Sequence, residues 1–276
     1  MSTRGEVTGR VVAITGGARG IGRAIAARLA ASGAVVAIGD IDADAAVETG
    51  RELGLPSAGA LDVTDPGSFR AFLDGVEKAL GPIDVLINNA GIMPVGRFAE
   101  ETDVITRRIL DVNVYGVLLG TKLVLPGMLA RGSGHVVNIA SLAGENPTPG
   151  MATYCASKQA VLGFTEVMRL EHRSTGVHFS AVLPTFTKTE LIAGTQAPLG
   201  LLAEPEDVAA AVTALIAKPR RRVAVTRLAG LMTTFNKLTP RPIGEYIARR
   251  LGVDRTFTDN VDRDARRGYD DRLNRP

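Results

Sequence analysis

The sequence predicts an α/β fold: a doubly wound parallel sheet of about seven strands, with helices on both faces. Three observations carry that expectation. Short β-branched runs alternate with longer amphipathic segments, the alternation that builds right-handed β–α–β crossovers. The runs are almost wholly apolar, as strands covered on both faces must be. With 276 residues, 45% of them hydrophobic and 22% charged, the chain can bury one sizeable core and does not have the composition of a disordered one.

The elements follow in order. Arg10–Thr15 reads as the first strand and Gly20–Ser32 as the first helix, with Ile21, Ile25 and Leu29 on one face. Gly33 is placed to end that helix in a left-handed conformation. Ala34–Gly39 and Ala43–Leu53 are the next strand and helix. A third strand ends near Leu61, and Pro66 occupies the first turn of a helix opening at about Asp65. Ile83–Asn88, Gly134–Ser141 and Val177–Leu183 supply three more strands, separated by long helices over about Asp103–Leu129 and Ala152–Glu171. Pro205–Ala217 is a further helix, with Glu204, Glu206 and Asp207 complementing its positive end. Arg222–Thr226 is a candidate seventh strand. The chain reads as one domain, 1–276: a core over about 8–217, a substrate lid at 185–203 and a C-terminal extension at 227–276.

A net charge of +3 is too small to point to nucleic acid, but it is unevenly spread. From Lys218 onward there are 15 Lys and Arg against 7 Asp and Glu, or +8, and the preceding 217 residues carry −5. The basic tail is either a solvated surface with local ion pairs or a surface that steers toward an anionic partner or membrane. A single cysteine, Cys155, excludes an internal disulfide and fits a reducing compartment. Apolar runs such as Val11–Ile14 and Val85–Ile87 are far short of a membrane span, so no transmembrane segment is expected. The opening MSTRGEVTGR shows no signal peptide. A soluble, cytoplasmic protein is the expectation. His135, His172 and His178 are too scattered to form a ligand set, and no metal is expected.

Two motifs carry chemistry. The segment Thr15-Gly16-Gly17-Ala18-Arg19-Gly20-Ile21-Gly22 follows a strand and opens a helix, the context of a Rossmann-type dinucleotide turn. Its glycines let backbone approach a pyrophosphate, and the helix N-terminus supplies free amides and positive potential. Asp40, at the end of the second strand, can accept hydrogen bonds from an adenosine ribose and repel a 2′-phosphate. Arg19 pulls the other way. The second motif, Tyr154-Cys155-Ala156-Ser157-Lys158, puts a phenol and an ammonium one turn apart on one helical face. A neighbouring cation favours the phenolate and draws its pKa down from about 10. Alone, such a pair is as readily a surface contact.

It does not stand alone. The glycine turn, Asn88-Asn89-Ala90-Gly91, Ser141 ending the fifth strand and Tyr154 with Lys158 occur in order, and over about residues 8–217 the chain resembles the short-chain dehydrogenase/reductase family. The resemblance implies Tyr154 as general acid/base, Lys158 lowering its pKa and binding the nicotinamide ribose, Ser141 holding the substrate oxygen, and Asn113 supporting a proton relay. It implies a nicotinamide cofactor, NAD by virtue of Asp40 with NADP possible, along Gly16, Ala18, Arg19, Gly20, Ile21, Asp62, Val63, Asn89, Ala90, Gly91, Pro184, Thr187 and Thr189. A homodimer or homotetramer is its precedent.

The chain departs from the family where Pro184-Thr185 replaces Pro-Gly, narrowing the site or altering the turn. Its ending resembles the branch acting on retinoids, steroids and xenobiotic carbonyls more than the acyl-carrier reductases. An apolar secondary alcohol or ketone is therefore the expected small-molecule substrate, with Met93, Leu142, Met151, Phe186 and Leu191 lining its pocket. Glu145 and Asn146 either add a polar contact or form a loop, and Cys155 is expected to point off the catalytic face. Apolar residues of the lid, such as Leu199 and Leu201, and of the tail, such as Leu231, Phe235 and Tyr246, need a partner. Lid and tail together are expected to shape the pocket, with Lys and Arg facing solvent. An NADP-dependent carbonyl reductase, a non-catalytic nucleotide sensor and a sugar-nucleotide epimerase are the alternatives.

Overall fold

The computed structural model describes residues 7–195, 202–226, 250 and 256–273. The apolar residues of 196–201 and 227–249 that were expected to pair lid with tail lie outside the described residues.

Alternation along the first strand explains the layers. In β1 (Val11–Thr15), Val12 and Ile14 face one side of the sheet while Val11 and Ala13 face the other. The first side is covered by α1 (Gly20–Ala31), through Ile25 and Leu29, and much later by α7 (Pro205–Ala217), through Val208, Val212 and Ile216. Gly33 closes α1 at φ +87°, as its position predicts. Between these helices come β2 (Val35–Asp40), α2 (Ala43–Glu52), β3 (Ser57–Ala60) and α3 (Pro66–Leu80). The other side is covered by Phe69, Leu73 and Val76 of α3 and by a long helical run.

That run begins as α4 (Asp103–Leu110), passes through a π-helical turn at Asp111–Tyr115 and continues as α5 (Gly116–Arg131). The uninterrupted helix expected from sequence is thus broken where Asn113 turns inward. By length and composition alone Asp103–Arg131 is apolar enough to cross a membrane. Here α5 packs on β4 (Val85–Asn88) and β5 (Gly134–Ile139), and covering a parallel sheet requires the same apolarity.

The strands β6 (Val177–Leu183) and β9 (Arg222–Ala224) complete an all-parallel seven-stranded sheet in the order β3-β2-β1-β4-β5-β6-β9. The α6 helix (Ala152–Glu171) precedes β6, and a two-stranded ladder, β7 (Phe186–Thr187) with β8 (Leu202–Ala203), lies beyond it. The last element is α8 (Arg263–Leu273).

Candidate active site

From β1 the chain runs outward through β2 and β3, then returns to the far side of β1 as β4. Sheets of this kind open a crevice at the carboxyl ends of their strands where the order reverses. A cleft of about 900 Å³ is lined by the loops that follow β1, β4, β5 and β6.

The turn after β1 is pressed against the loop after β4. The Thr15 hydroxyl accepts the amides of Asn89 and Ala90 at 3.0 Å each, and Asn89 Nδ2 donates to the carbonyls of Thr15 and Gly16 at 2.9 and 2.8 Å. Gly16 is required here, since a Cβ on it would stand 2.8 Å from Ala90 Cα, and at Gly22 one would stand 2.0 Å from the Gly16 carbonyl oxygen. Helix α1 starts behind Arg19, whose side chain makes no capping bond, and has no acid in its first turn. Its positive end is therefore left to an anion in the cleft, which Gly20, Ile21 and Gly22 line. The donor set and the bare glycine turn fit a dinucleotide pyrophosphate.

Asp40, buried at the end of β2, accepts the amides of Ala18 and Asp42 at 3.1 and 3.2 Å, which fix its carboxylate at the cleft wall. Ala18 itself does not line the cleft; its carbonyl takes the Thr49 hydroxyl at 2.8 Å. Arg19 pairs with Asp42, so the cation weighed for a 2′-phosphate already faces a carboxylate. Asp62, Val63, Asn89, Ala90, Gly91, Pro184, Thr187 and Thr189 all line the same cleft.

At the other end, Ser141 follows β5, and its hydroxyl accepts the Ala143 amide at 3.1 Å and hydrogen-bonds Tyr154. Lys158 Nζ donates to the Ile139 carbonyl at 3.0 Å and lies 5.7 Å from the centroid of the Tyr154 ring. Burial pushes the Tyr154 phenol well above its ordinary range, and the bond with Ser141 opposes that rise. Lys158 is likewise desolvated, which holds its ammonium down to about 8.

Asn113 does not line the cleft. It is wholly buried on its π-helical turn, its Oδ1 accepting the Ile92 amide at 2.8 Å and its Nδ2 donating to the Ile92 carbonyl at 2.9 Å and to Ser157 Oγ at 3.1 Å. The Ser157 hydroxyl in turn donates to the Tyr154 carbonyl at 2.7 Å. Asn113 thus braces the loop after β4 against the helix that carries Tyr154 and Lys158. Asn138, which no motif singled out, ties β4, β5 and α6 together by accepting from Asn88 at 2.9 Å and donating to Thr165 at 2.8 Å.

Met93, Leu142, Met151, Phe186 and Leu191 line the cleft near Tyr154. Cys155 does not; its thiol lies 3.9 Å from the Thr148 carbonyl, and burial pushes its pKa up. Glu145 pairs with Arg222 and so joins the turn after β5 to β9. Thr185, at the departure from Pro-Gly, lines the cleft with its hydroxyl oxygen buried and without a hydrogen bond among the described residues.

The C-terminal residues that complete this end had no signal in the sequence. The Phe257 ring stacks on Phe186 at 5.5 Å and 9°. Arg266, with 1% of its surface exposed, donates to the carbonyls of Leu191 at 2.9 Å, Ala193 at 3.2 Å and Met93, and its Nε is 3.2 Å from Asp270. The expectation that the tail turns its Lys and Arg to solvent is therefore wrong at this residue. Irregular loops leave carbonyls unpaired, and a guanidinium fork can satisfy several at once. Tyr269 accepts the Met93 amide at 2.8 Å, and Arg108 donates to the Leu273 carbonyl.

A family model described as short chain dehydrogenase matches residues 10–199. The 2-dehydro-3-deoxy-L-rhamnonate dehydrogenase (NAD(+)) of Sphingomonas sp. (strain SKA58) is 36% identical over 192 residues, 68% of this chain and 76% of that protein. Meso-2,3-butanediol dehydrogenase of Serratia marcescens is 37% identical over 218 residues, 75% of this chain and 86% of that protein. Among solved structures, 3-ketoacyl-(acyl-carrier-protein) reductase from Brucella melitensis complexed with NADH matches with a TM-score of 0.72 and 28% identity, covering 80% of this chain and 99% of that one.

Proposed function

The chain belongs to the short chain dehydrogenase family, and from that premise we propose that it is an NAD-dependent dehydrogenase of a mostly apolar secondary alcohol, or reductase of the matching ketone. The observation that carries this reading is the continuity of one cleft from the glycine turn and Asp40 to Ser141, Tyr154 and Lys158. NAD is favoured over NADP by the buried Asp40 carboxylate and by the pairing of Arg19 with Asp42. The relatives named for NAD(+) and solved with NADH support the same cofactor.

When bound, the nicotinamide supplies the carbon that accepts or returns the hydride. The protein's own residues do the rest. Ser141 donates a hydrogen bond to the substrate oxygen where charge develops. Tyr154 takes the hydroxyl proton in oxidation and returns it in reduction, work that typically contributes about 10²–10⁴-fold in rate. Lys158 holds the ribose and backs the phenol, and Asn113 positions the loop and helix around them. The wall of Met93, Met151, Phe186, Leu191 and Phe257 supports an apolar substrate, steroid-, retinoid- or xenobiotic-carbonyl-like.

We also place the chain in one domain, 1–276, with 185–203 and the extension at 227–276 closing the substrate end of the 8–217 core. A homodimer or homotetramer is supported by exposed apolar residues on the helices of the second face, among them Val104, Leu110, Val167 and Leu170. A cytoplasmic location is supported by the single free cysteine.

The test is a panel of secondary alcohols and ketones with NAD and NADP, followed by nicotinamide absorbance. The expected result is turnover of apolar members with NAD preferred. A protein that turns over no member with either dinucleotide overturns the reading.

A further inference from the structure

The geometry points to Tyr269 as a second substrate-contacting hydroxyl, one that selects alcohols and ketones carrying another oxygen close to the reacting carbon. This inference rests on the redox reading above and deepens it. Tyr269 sits on α8, nearly buried, and lines the same cleft as Tyr154. The Tyr269 phenol lies near enough to Tyr154 to bear on its charge. The family model matches residues 10–199, and Tyr269 lies beyond it.

The phenol oxygen of Tyr269 accepts the Met93 amide at 2.8 Å, but its own proton has no acceptor among the described residues. Burial holds its pKa up to about 12, so the group stays a donor across the working range of pH. The cleft it lines has an apolar wall of Met93, Met151, Phe186, Leu191 and Phe257, beside polar residues such as Glu190 and Arg272. A donor that faces such a wall is satisfied by an oxygen on the ligand, and a ligand without one leaves it unpaired.

The group is also held in place. The Arg266 guanidinium lies 4.7 Å from the centroid of the Tyr269 ring, and the same guanidinium is anchored on the carbonyls of Met93, Leu191 and Ala193. Tyr154 and Ser141 would take the reacting oxygen, and Tyr269 an acceptor nearby. The substrate class is a vicinal diol, a hydroxyketone or a close relative on an apolar frame.

The experiment compares a vicinal diol, its monomethyl ether and the matched mono-alcohol, in wild type and in Tyr269→Phe. Two readouts are taken: kcat/KM with NAD, and the thermal shift each ligand gives with NAD present. Wild type should favour the diol and the ether over the mono-alcohol by about tenfold, the ether included because Tyr269 donates. Tyr269→Phe should reduce that preference to about twofold or less. The variant also strips the Met93 amide of its acceptor, so the wild-type comparison serves as the arm independent of folding. Equal treatment of the three ligands by wild type in both readouts, or an undiminished preference in a folded Tyr269→Phe, overturns the inference. If turnover is seen in those cases, the redox reading stands. A thermal-shift preference that Tyr269→Phe abolishes, with no turnover of any ligand, keeps the role of Tyr269 and overturns the redox reading instead.

Discussion

At the dinucleotide end of the cleft, the loop after β4 is fixed by the neighbouring strand: Thr15 and Asn89 bond one another across adjacent, parallel strands. At the substrate end the same loop, only a few residues on, is fixed by Tyr269, 176 positions away in sequence, and by Arg266. The first end is built from backbone and short side chains inside the sheet register, and the second from a few long-range ties to loops without regular structure. Cofactor binding should therefore tolerate damage to the tail, while substrate recognition should not.

The largest effect is expected at the point where both ends meet. Tyr154→Phe removes the proton donor and leaves the ring in place, so turnover should fall by about 10²–10⁴-fold. NAD affinity, measured by titration, should stay within a few-fold. Undiminished turnover would remove Tyr154 from the chemistry and leave the two ends without a common reacting centre.

Arg266→Ala tests the comparison directly. It leaves the carbonyls of Met93, Leu191 and Ala193 without their donor, and an unsatisfied buried group costs about 1–3 kcal/mol. The expected outcome is a drop in melting temperature and a fall of about 10–100-fold in kcat/KM for the alcohol, an energy of the same order. NAD affinity should hold within about threefold, a change of well under 1.4 kcal/mol. Equal losses at both ends would break the distinction.

Asp40→Ala should act on the opposite end and more mildly. Removing the carboxylate lifts repulsion of a 2′-phosphate, so the NAD-to-NADP preference in kcat/KM should shrink by about tenfold. The relative rates across alcohols should not move. If the variant keeps the wild-type preference, Asp40 is only the anchor for the Ala18 and Asp42 amides.

The same contrast decides what could be read from sequence. The glycine turn, Asp40, Asn89, Ser141, Tyr154 and Lys158 sit at the ends of strands and on a helix whose periodicities are visible, and sheet register then brings them to one edge. Thr15 and Ser157 lay inside the quoted motifs, but their bonds depend on the β1–β4 register and on a helix turn of α6, which spacing alone does not show. The π-helical turn at Asn113 is a local change of winding within an apolar run, with no signal of its own. Arg266, Tyr269 and Phe257 were out of reach for a different reason. A charged helix with mean composition like a solvated surface turns one guanidinium inward, and nothing in Arg-Asp-Ala-Arg-Arg-Gly-Tyr says which arginine it is. Sequence also shows a charge beside the phenol without showing how deeply Tyr154 and Lys158 are buried.

The smallest effect at the cleft is expected from His135, which sharpens the comparison by loading only the sheet. His135 is buried on β5, with Nε2 and Ser180 Oγ 2.8 Å apart, and burial first, then His178 and Arg10, holds its pKa down to about 3. A folded-state pKa below the unfolded value of about 6.5 means that the unfolded chain takes up the proton first. The stability in question is present above pH 6.5 and is lost as pH falls from there toward 3. From pH 7 to 5, above the range where ordinary carboxylates titrate, the loss from this residue is up to about 2 kcal/mol. His135→Gln should flatten that part of the urea-unfolding profile relative to wild type. Substrate preference at pH 7 should be the same in both proteins, because His135 lies outside the cleft and makes no tie to the tail among the described residues. Parallel losses in the two proteins between pH 7 and 5 would show that another group takes up the proton. A changed substrate preference would show that the sheet and the tail are mechanically coupled after all.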